Sequence, residues 1–305
     1  MDTITIAFDP SSLVLINLII ALMMFGVSLE LRVEDFKRVL REPKAPVIGL
    51  VAQFLLLPAS TCLVCWALAI EPELALGMIL VAACPGGSFS NIMTWMARGN
   101  VAVSVSMTAI SSLAASVMTP LNFAFYAWLN PHTRALLTEI TIDPLALVLL
   151  VALVLGLPLL LGMYIGRRFP TLAVRVDKPL RVFSLTVMLG FVGLAFSRNW
   201  AQFVGYFHLF FWLVVAHNTL ALTLGYVSAK LCKLPDRDVR AVTLETGIQN
   251  SALGLVIIFT FFPQAGGMLL IAAFWGCWHL VSGLSVAWLW SRHAPASQPL
   301  PGEAS

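Results

Sequence analysis

Glu245 is the one carboxylate of this chain that falls inside a long hydrophobic run, and it lies beside a break in that run. The break spans residues 243–251, which read Thr-Leu-Glu-Thr-Gly-Ile-Gln-Asn-Ser. The other fourteen of the fifteen acidic residues lie in tails, in loops or at the ends of hydrophobic runs. An ionised side chain at membrane depth costs at least about 2–3 kcal/mol and usually marks a path for an ion or a proton. Glu245 is therefore the first candidate for chemistry.

A second hydrophobic run breaks at residues 84–91, which read Cys-Pro-Gly-Gly-Ser-Phe-Ser-Asn. Proline costs about 3 kcal/mol and each glycine about 1 kcal/mol inside a helix, so this sequence predicts an interrupted helix. Broken backbone at membrane depth persists only where it is buried in protein or lines a cavity. Two interrupted helices in corresponding positions of two halves are typical of the binding site of a secondary transporter.

The side chains near the two breaks offer oxygen atoms and few thiols or imidazoles, which suits a hard cation. One carboxylate among neutral oxygens favours a monovalent ion over Ca²⁺. Ser104 and Thr108 are four residues apart and share a helix face, although hydroxyls in membrane helices also bond to their own backbone. The oxygen-bearing residues are Gln53, Ser90, Asn91, Ser104, Thr108 and Gln249.

Other polar groups within the hydrophobic runs favour a structural interpretation. His217 and His279 are intramembrane, and a hydrogen-bonded structural histidine is the favoured reading of each. Cys62 and Cys65 form a C-x-x-C pair in an apolar setting with no second pair, which indicates neither a metal site nor a disulfide scaffold.

The elements that carry these residues follow from the composition. The chain has 305 residues, of which 59% are hydrophobic and 11% charged, and its mean hydropathy is +0.91. Soluble domains carry about 25% charged residues, so we expect an all-α membrane protein. Nine segments are long and apolar enough to span a bilayer, at residues 12–31, 46–69, 74–96, 101–128, 144–166, 180–197, 204–231, 239–262 and 266–291.

The distribution of basic residues orients these spans. With the N-terminus outside, sixteen of the eighteen Lys and Arg residues fall on the inner side, and only Arg134 and Arg198 fall outside. This is the bias expected for a cytoplasmic C-terminus. No N-x-[ST] sequon occurs, which favours a bacterial source and hence the inner, plasma membrane. The partners expected are a small solute, an ion and membrane lipid; nothing indicates nucleic acid or an obligate protein partner.

A weak internal repeat is visible. In each half a mid-helix amide (Gln53, then Asn218) precedes a short loop and a span that breaks at glycine before an asparagine (Asn91, then Asn250). The interrupted spans are the third and the eighth, and an odd separation inverts one half relative to the other. We therefore predict a first half at 1–130, a second half at 131–291 and a disordered cytoplasmic tail at 292–305.

Several stretches together resemble the bile acid:sodium symporter family. They are MMFGVSLELRVEDFKRVLREPK (23–44), VAQFLLLP (51–58), ACPGGSFSNIMTWMARGNVAVSVSMT (83–108), HNTLALTLG (217–225), LETGIQNSALG (244–254) and WHLVSG (278–283). The resemblance implies two inverted repeats that form a panel domain and a core domain, with the two broken helices crossing near the membrane centre. This chain departs from the family in two ways. It has nine spans where bacterial members often have ten, and it reads Ser88-Phe89 where Thr-Ala is common.

The resemblance also implies two sodium sites. The first would use Ser90, Asn91, Ser104, Thr108 and Glu245. The second would use Gln53, Glu245, Gln249 and the carbonyls of Thr246 and Ile248. The organic substrate is expected near Ser88 and Asn250, with His279 as a weaker candidate.

The function expected is sodium-coupled symport, by alternating access, of an organic anion that is bile-acid-like or a smaller carboxylate or sulfonate. Two Na⁺ would be the coupling ions. One alternative replaces sodium with a proton on Glu245. A remote alternative is an intramembrane enzyme, but no G-x-S-x-G or H-E-x-x-H spacing occurs, so we expect no enzymatic activity. A channel is disfavoured because the first, fifth and sixth spans are almost wholly apolar.

Overall fold

The computed structural model describes residues 33–139, 152–176 and 200–295, with isolated positions within 18–29 and 149–190. Its regular elements in these ranges are all helical, as predicted. We number the helices α1 Val33–Arg41, α2 Lys44–Ala67, α3 Pro72–Ala83, α4 Phe89–Met96, α5 Val101–Leu129, α6 Pro131–Glu139, α7 Leu157–Arg168, α8 Trp200–Leu231, α9 Asp236–Gly247, α10 Ser251–Phe261 and α11 Gly266–Ser291.

Four described helices are long and apolar enough to cross a membrane, and all four match predicted spans. They are α2, α5, the Phe210–Leu231 part of α8, and α11. The apolar helices α3 and α10 are shorter, because each is one half of an interrupted span. Apart from isolated positions, the first and sixth predicted spans and the start of the fifth lie outside the described residues, so the total of nine spans stays a prediction. The division at residue 130 and the separation into panel and core domains likewise stay predictions.

Both predicted helix breaks are present. The helix α3 ends at Ala83, and Cys84 takes an extended conformation with φ −69° and ψ 156°. Proline disfavours a helical conformation in the residue before it, so Pro85 accounts for the end of α3. The second break contains no proline, yet α9 ends at Gly247 and Ile248 is extended with φ −108° and ψ 103°.

The two breaks lie against each other in antiparallel fashion. The Gly87 amide donates to the Ile248 carbonyl at 2.7 Å, and the Asn250 amide donates to the Pro85 carbonyl at 2.8 Å. Buried backbone groups need partners, and each break therefore satisfies groups that the other has freed. A Cβ atom on Gly87 would lie 3.1 Å from the Gln249 carbonyl oxygen, so glycine permits this close approach.

The mid-helix amides that marked the repeat have matching roles. Gln53 on α2 donates from Nε2 to the carbonyl of Cys84, just past the end of α3, at 2.8 Å. Asn218 on α8 donates from Nδ2 to the carbonyl of Gly247, at the end of α9, at 2.8 Å. In each half, the side-chain amide of the helix that precedes the broken one donates a hydrogen bond. The acceptor is the backbone carbonyl at the break, where the helix has ended.

Arg240, near the start of α9, contacts the C-terminal ends of α4 and α11. The sequence counts it among the basic residues of the inner side, at the start of the predicted span 239–262, and its surface is only 4% exposed. Its Nη1 donates to the carbonyls of Ala97 after α4 (2.7 Å), Trp290 in α11 (3.0 Å) and His293 beyond α11 (3.1 Å). Its Nη2 lies 3.0 Å from an Asp236 carboxylate oxygen. A cation at two helix C-termini also interacts favourably with both helix dipoles.

We expect Arg240→Ala to destabilise the protein by about 2–3 kcal/mol, since it removes the buried guanidinium that donates to three carbonyls and to the Asp236 carboxylate. For a chain of this size the thermal midpoint in detergent should fall by roughly 3–5 °C. The neighbouring Arg237 is exposed, and Arg237→Ala is the matched control with an expected change near zero. Equal midpoints for the two variants would contradict the role given to Arg240.

Candidate cation-binding site

The Glu245 carboxylate lies near the end of α9 and is surrounded by hydroxyl groups from two other helices. The residue is 1% exposed. Its Oε1 accepts a hydrogen bond from Thr108 Oγ1 at 2.6 Å, and its Oε2 accepts one from Ser104 Oγ at 2.9 Å. Ser90 Oγ also donates to Oε2. The carboxylate thus points into protein between α4, α5 and α9.

Asn91 completes this group. Its Oδ1 lies 2.8 Å from Ser104 Oγ and 3.3 Å from Thr108 Oγ1. Ser104 and Thr108 share one face of α5, as their spacing predicted. Thr108 Oγ1 also lies 3.1 Å from the carbonyl of Ser104, so the expected contact with its own backbone exists beside the contact with Glu245. All five residues expected at the first site therefore meet at one place.

The atoms of this group suit a small monovalent cation. Six oxygens converge: three hydroxyls, two carboxylate oxygens and one amide oxygen. The hydroxyls can turn their lone pairs to an ion, whereas the carboxylate and amide oxygens only accept. One negative charge among neutral oxygens matches one positive charge, and oxygen ligands are those of hard cations. In the part of the chain that the structure describes, no three His, Cys, Asp or Glu side chains cluster as a transition-metal site would require.

Gly86 makes room for this carboxylate. A Cβ atom at Gly86 would collide with Glu245 Oε1 and would lie 3.0 Å from its carboxyl carbon. Sequence reasoning identified Gly86 only as a helix breaker. Its second role depends on the long-range contact between the two breaks, for which a single sequence gives no signal.

A second group of polar atoms lies beside the first. Gln53 Nε2 donates to Gln249 Oε1 at 2.6 Å, and Gln249 Nε2 donates to the Thr246 carbonyl at 2.7 Å. Gln53 Oε1 is buried and has no hydrogen-bond partner among the described residues. A buried oxygen without a donor carries a desolvation cost, which a bound cation would offset. Gln53, Gln249 and the Thr246 carbonyl, expected at the second site, are thus brought together.

Two other members of the second expected site have competing contacts. The Ile248 carbonyl accepts a hydrogen bond from Gly87, which leaves it one further lone pair. The Glu245 carboxylate accepts its hydrogen bonds from Ser90, Ser104 and Thr108, all of the first group. Its membership of the second site stays a prediction.

The expected substrate residues flank the crossing. Ser88 precedes α4 and is partly exposed. Asn250 is also partly exposed, and its side chain accepts a hydrogen bond from the Leu253 amide at 3.2 Å, which caps α10. His279 lies on α11 and is 4% exposed, and its Nδ1 has no partner within the described ranges. His217 instead contacts Thr61 Oγ1 at 2.8 Å, as expected for a structural histidine.

Two features of the site were missed from sequence. Thr94 is buried, and its hydroxyl lies 3.4 Å from Ser104 Oγ; its spacing of four residues from Ser90 on α4 was the available signal. The contact of Ser282 Oγ with Asn218 Oδ1 joins α11 to α8, and no local pattern indicates it.

Comparison with known proteins identifies the family. The family model described as the Sodium Bile acid symporter family matches residues 17–206. The chain is 31% identical over 285 residues to the uncharacterized sodium-dependent transporter YocS of Bacillus subtilis, covering 93% of this chain and 85% of that protein. It is 32% identical over 278 residues to the probable chloroplastic sodium/metabolite cotransporter BASS1 of Arabidopsis thaliana, covering 89% of this chain and 65% of that protein.

A mammalian protein is also similar. The P3 protein of Mus musculus is 30% identical over 234 residues, covering 77% of this chain and 48% of that protein. The family model covers more than half of this chain, and the similarity to YocS runs through most of both proteins. The chain therefore belongs to the sodium bile acid symporter family, a family of membrane transporters and not of enzymes.

Proposed function

We propose that this protein is a sodium-coupled symporter that imports a small organic anion. The observation that carries the proposal is the buried Glu245 carboxylate, which three hydroxyl groups and an amide oxygen surround at the crossing of two broken helices. Two relatives are named as a sodium-dependent transporter and as a probable sodium/metabolite cotransporter, which supports the same function for this chain.

The proposal assigns one sodium ion to each group of oxygens. The first ion binds Ser90, Asn91, Ser104, Thr108 and Glu245. The second binds Gln53 Oε1, Gln249, the carbonyls of Thr246 and Ile248, and the Glu245 carboxylate. Two sodium ions carried with one monoanion move one net positive charge inward. Each such charge gains about 2.3 kcal/mol per 100 mV of inside-negative potential, so uptake is electrogenic.

The anion binds beside the crossing, near Ser88 and Asn250 and with His279 as a further contact. Phe89, between Ser88 and Ser90, is partly buried and packs against the apolar cluster of Met93, Ala97, Leu244, Ile248 and Ala287. This bulky ring beside the site favours a short carboxylate or sulfonate over a steroid-sized substrate. Rigid-body movement of the broken helices and their neighbours against the remaining helices would expose the site alternately to the two sides. The charge bias of the loops supports an N-terminus outside and a cytoplasmic C-terminus. The membrane proposed is a bacterial inner membrane.

The proposal is tested by uptake into proteoliposomes. A panel of labelled short carboxylates and sulfonates and a bile acid is offered with an inward sodium gradient, with an equal potassium gradient, and with a pH gradient in sodium-free buffer. We expect at least one short anion to accumulate only with sodium, and faster when the interior is negative. Accumulation driven by the pH gradient alone would show that the transporter is coupled to protons and not to sodium. Accumulation that no gradient stimulates would exclude both.

Thr108→Val is a sharper probe of the first ion site because it removes one oxygen and keeps the shape. We expect the sodium concentration for half-maximal uptake to rise about tenfold, which corresponds to the loss of one favourable contact. The control is Thr243→Val, since Thr243 is also buried but its hydroxyl donates to the Val239 carbonyl of its own helix at 2.7 Å. An unchanged sodium requirement in Thr108→Val would show that Thr108 is not a ligand of the ion.

A further inference from the structure

Asn218 is a buried amide of α8 that contacts two other helices. It is 0% exposed. Its Nδ2 donates to the Gly247 carbonyl of α9 at 2.8 Å, and its Oδ1 accepts a hydrogen bond from Ser282 Oγ of α11. The Gly247 carbonyl can only accept a hydrogen bond, so the NH₂ group must face it. The amide oxygen then faces the Ser282 hydroxyl, which donates to it and holds the amide in this orientation.

The position of Gly247 in the chain makes this contact consequential. Gly247 lies between Thr246 and Ile248, whose carbonyls are proposed to bind the second ion. Glu245, whose carboxylate is also proposed to bind it, comes just before them in the chain. A hydrogen bond to the Gly247 carbonyl fixes the peptide plane between Gly247 and Ile248. Glycine is the most flexible residue of the backbone, and an unrestrained Gly247 would let the flanking carbonyls turn away from an ion.

The packing of α8 on α9 reinforces this restraint. Leu222, one turn after Asn218, lies where a Cβ atom on Gly247 would collide with it. Gly225, a further turn along, approaches α9 so closely that a Cβ atom there would lie 3.0 Å from both Thr243 Cα and the Val242 carbonyl oxygen. One face of α8 thus holds the last two turns of α9 in place.

Asn218 also has a counterpart in the first half. Gln53 on α2 donates to the Cys84 carbonyl at the end of α3, as Asn218 does to the Gly247 carbonyl at the end of α9. Gln53 has a buried Oε1 without a partner among the described residues, whereas the Asn218 oxygen is occupied by Ser282. The two amides therefore share the restraint of a broken helix, but only Gln53 has an oxygen left for an ion.

We infer that Asn218, supported by Ser282, is a positioning residue that holds the backbone of residues 246–248 in the geometry that binds sodium. The inference rests on the proposed sodium-coupled function. Asn218 does not contact the ion. It sets the sodium affinity by keeping the Thr246 and Ile248 carbonyls turned toward the second site. Because Ser282 lies one turn from His279 on α11, the same contact connects the proposed substrate side of the site to the proposed ion side.

The inference is tested with Asn218→Ala and Ser282→Ala, each reconstituted in proteoliposomes. The readouts are the sodium concentration for half-maximal uptake, the maximal uptake at saturating sodium, and the shift of the thermal midpoint on adding sodium. We expect the half-maximal sodium concentration to rise about tenfold in Asn218→Ala, as for one lost hydrogen bond, and about three- to tenfold in Ser282→Ala. Maximal uptake should stay within about twofold of wild type, since a positioning residue acts on affinity.

The matched controls lie on the same two helices. Thr219 and Ser285 are exposed, and their hydroxyls donate to carbonyls of their own helices, Val215 at 2.8 Å and Val281 at 2.7 Å. Thr219→Val and Ser285→Ala should leave the sodium requirement unchanged. If Asn218→Ala does not yield folded protein, Ser282→Ala decides, because Ser282 is partly exposed and loses a single oxygen.

A sodium requirement equal to wild type in both variants would overturn the inference. So would a lower thermal midpoint without sodium combined with an unaltered sodium-induced shift, since that pattern indicates a purely structural role. Sodium-independent uptake by the wild-type protein would instead contradict the proposed function, sodium-coupled symport. The two failures are therefore distinguishable.

Discussion

Replacing Glu245 by glutamine is expected to abolish sodium-driven uptake, with a loss of about 100-fold or more, because the substitution removes the single negative charge that offsets the desolvation of a cation inside the membrane. The amide keeps the size of the side chain, and one of its two positions presents an NH₂ group to hydroxyls that now donate to the carboxylate. The measurement is initial uptake of the transported anion into proteoliposomes over a range of sodium concentrations.

The control for this variant is Glu42→Gln, which removes a carboxylate at an exposed position between α1 and α2. Its uptake should match wild type within about twofold. Glu245→Gln must also purify as folded protein, which its thermal midpoint reports. Sodium-stimulated uptake that persists in a folded Glu245→Gln protein would show that the carboxylate is not an ion ligand.

Gly86→Ala is expected to be nearly as severe, although it adds only one methyl group and changes no charge. The added carbon would collide with Glu245 Oε1, so either the carboxylate or the crossing of the two breaks must shift. A displacement of a positioned group by about 1 Å can cost on the order of 100-fold in activity. We expect a comparable loss of sodium-driven uptake, measured in the same assay.

Gly205→Ala provides the steric control, since a Cβ atom at Gly205 of α8 would meet no atom of the described residues within 4 Å. That variant should transport as wild type does, and alanine should strengthen the helix slightly because it is the better helix former. Wild-type sodium dependence in Gly86→Ala would mean that the carboxylate does not need the position that the structure gives it.

The helix breaks could be predicted because local chemistry determines them. Pro85 has no amide hydrogen and restricts Cys84, so the end of α3 follows from two adjacent residues. Glu245 stood out because an acid in an apolar run is rare at membrane depth. The shared face of Ser104 and Thr108 follows from helix geometry alone. Each of these features depends on residues close together in the sequence.

The contacts that assemble the site depend on residues far apart, and a single sequence does not specify them. Glu245 lies close to Gly86 because the two breaks pair, with Gln249 opposite Gly86. The sequence placed Arg240 among the cytoplasmic basic residues, but its burial depends on carbonyls contributed by α4 and α11. The family resemblance supplied the expected ligand set, whereas the restraint by Asn218 and Ser282 became visible only in the structure.

The central claim is most directly tested by equilibrium binding of radioactive ²²Na⁺ to the purified protein, without any substrate or membrane. We predict saturable binding that unlabelled sodium displaces and potassium does not, approaching two ions per chain. In folded Glu245→Gln this binding should fall to the background of protein-free samples. Equal sodium binding by wild type and Glu245→Gln, or wild-type binding that potassium displaces as well as sodium, would contradict the account.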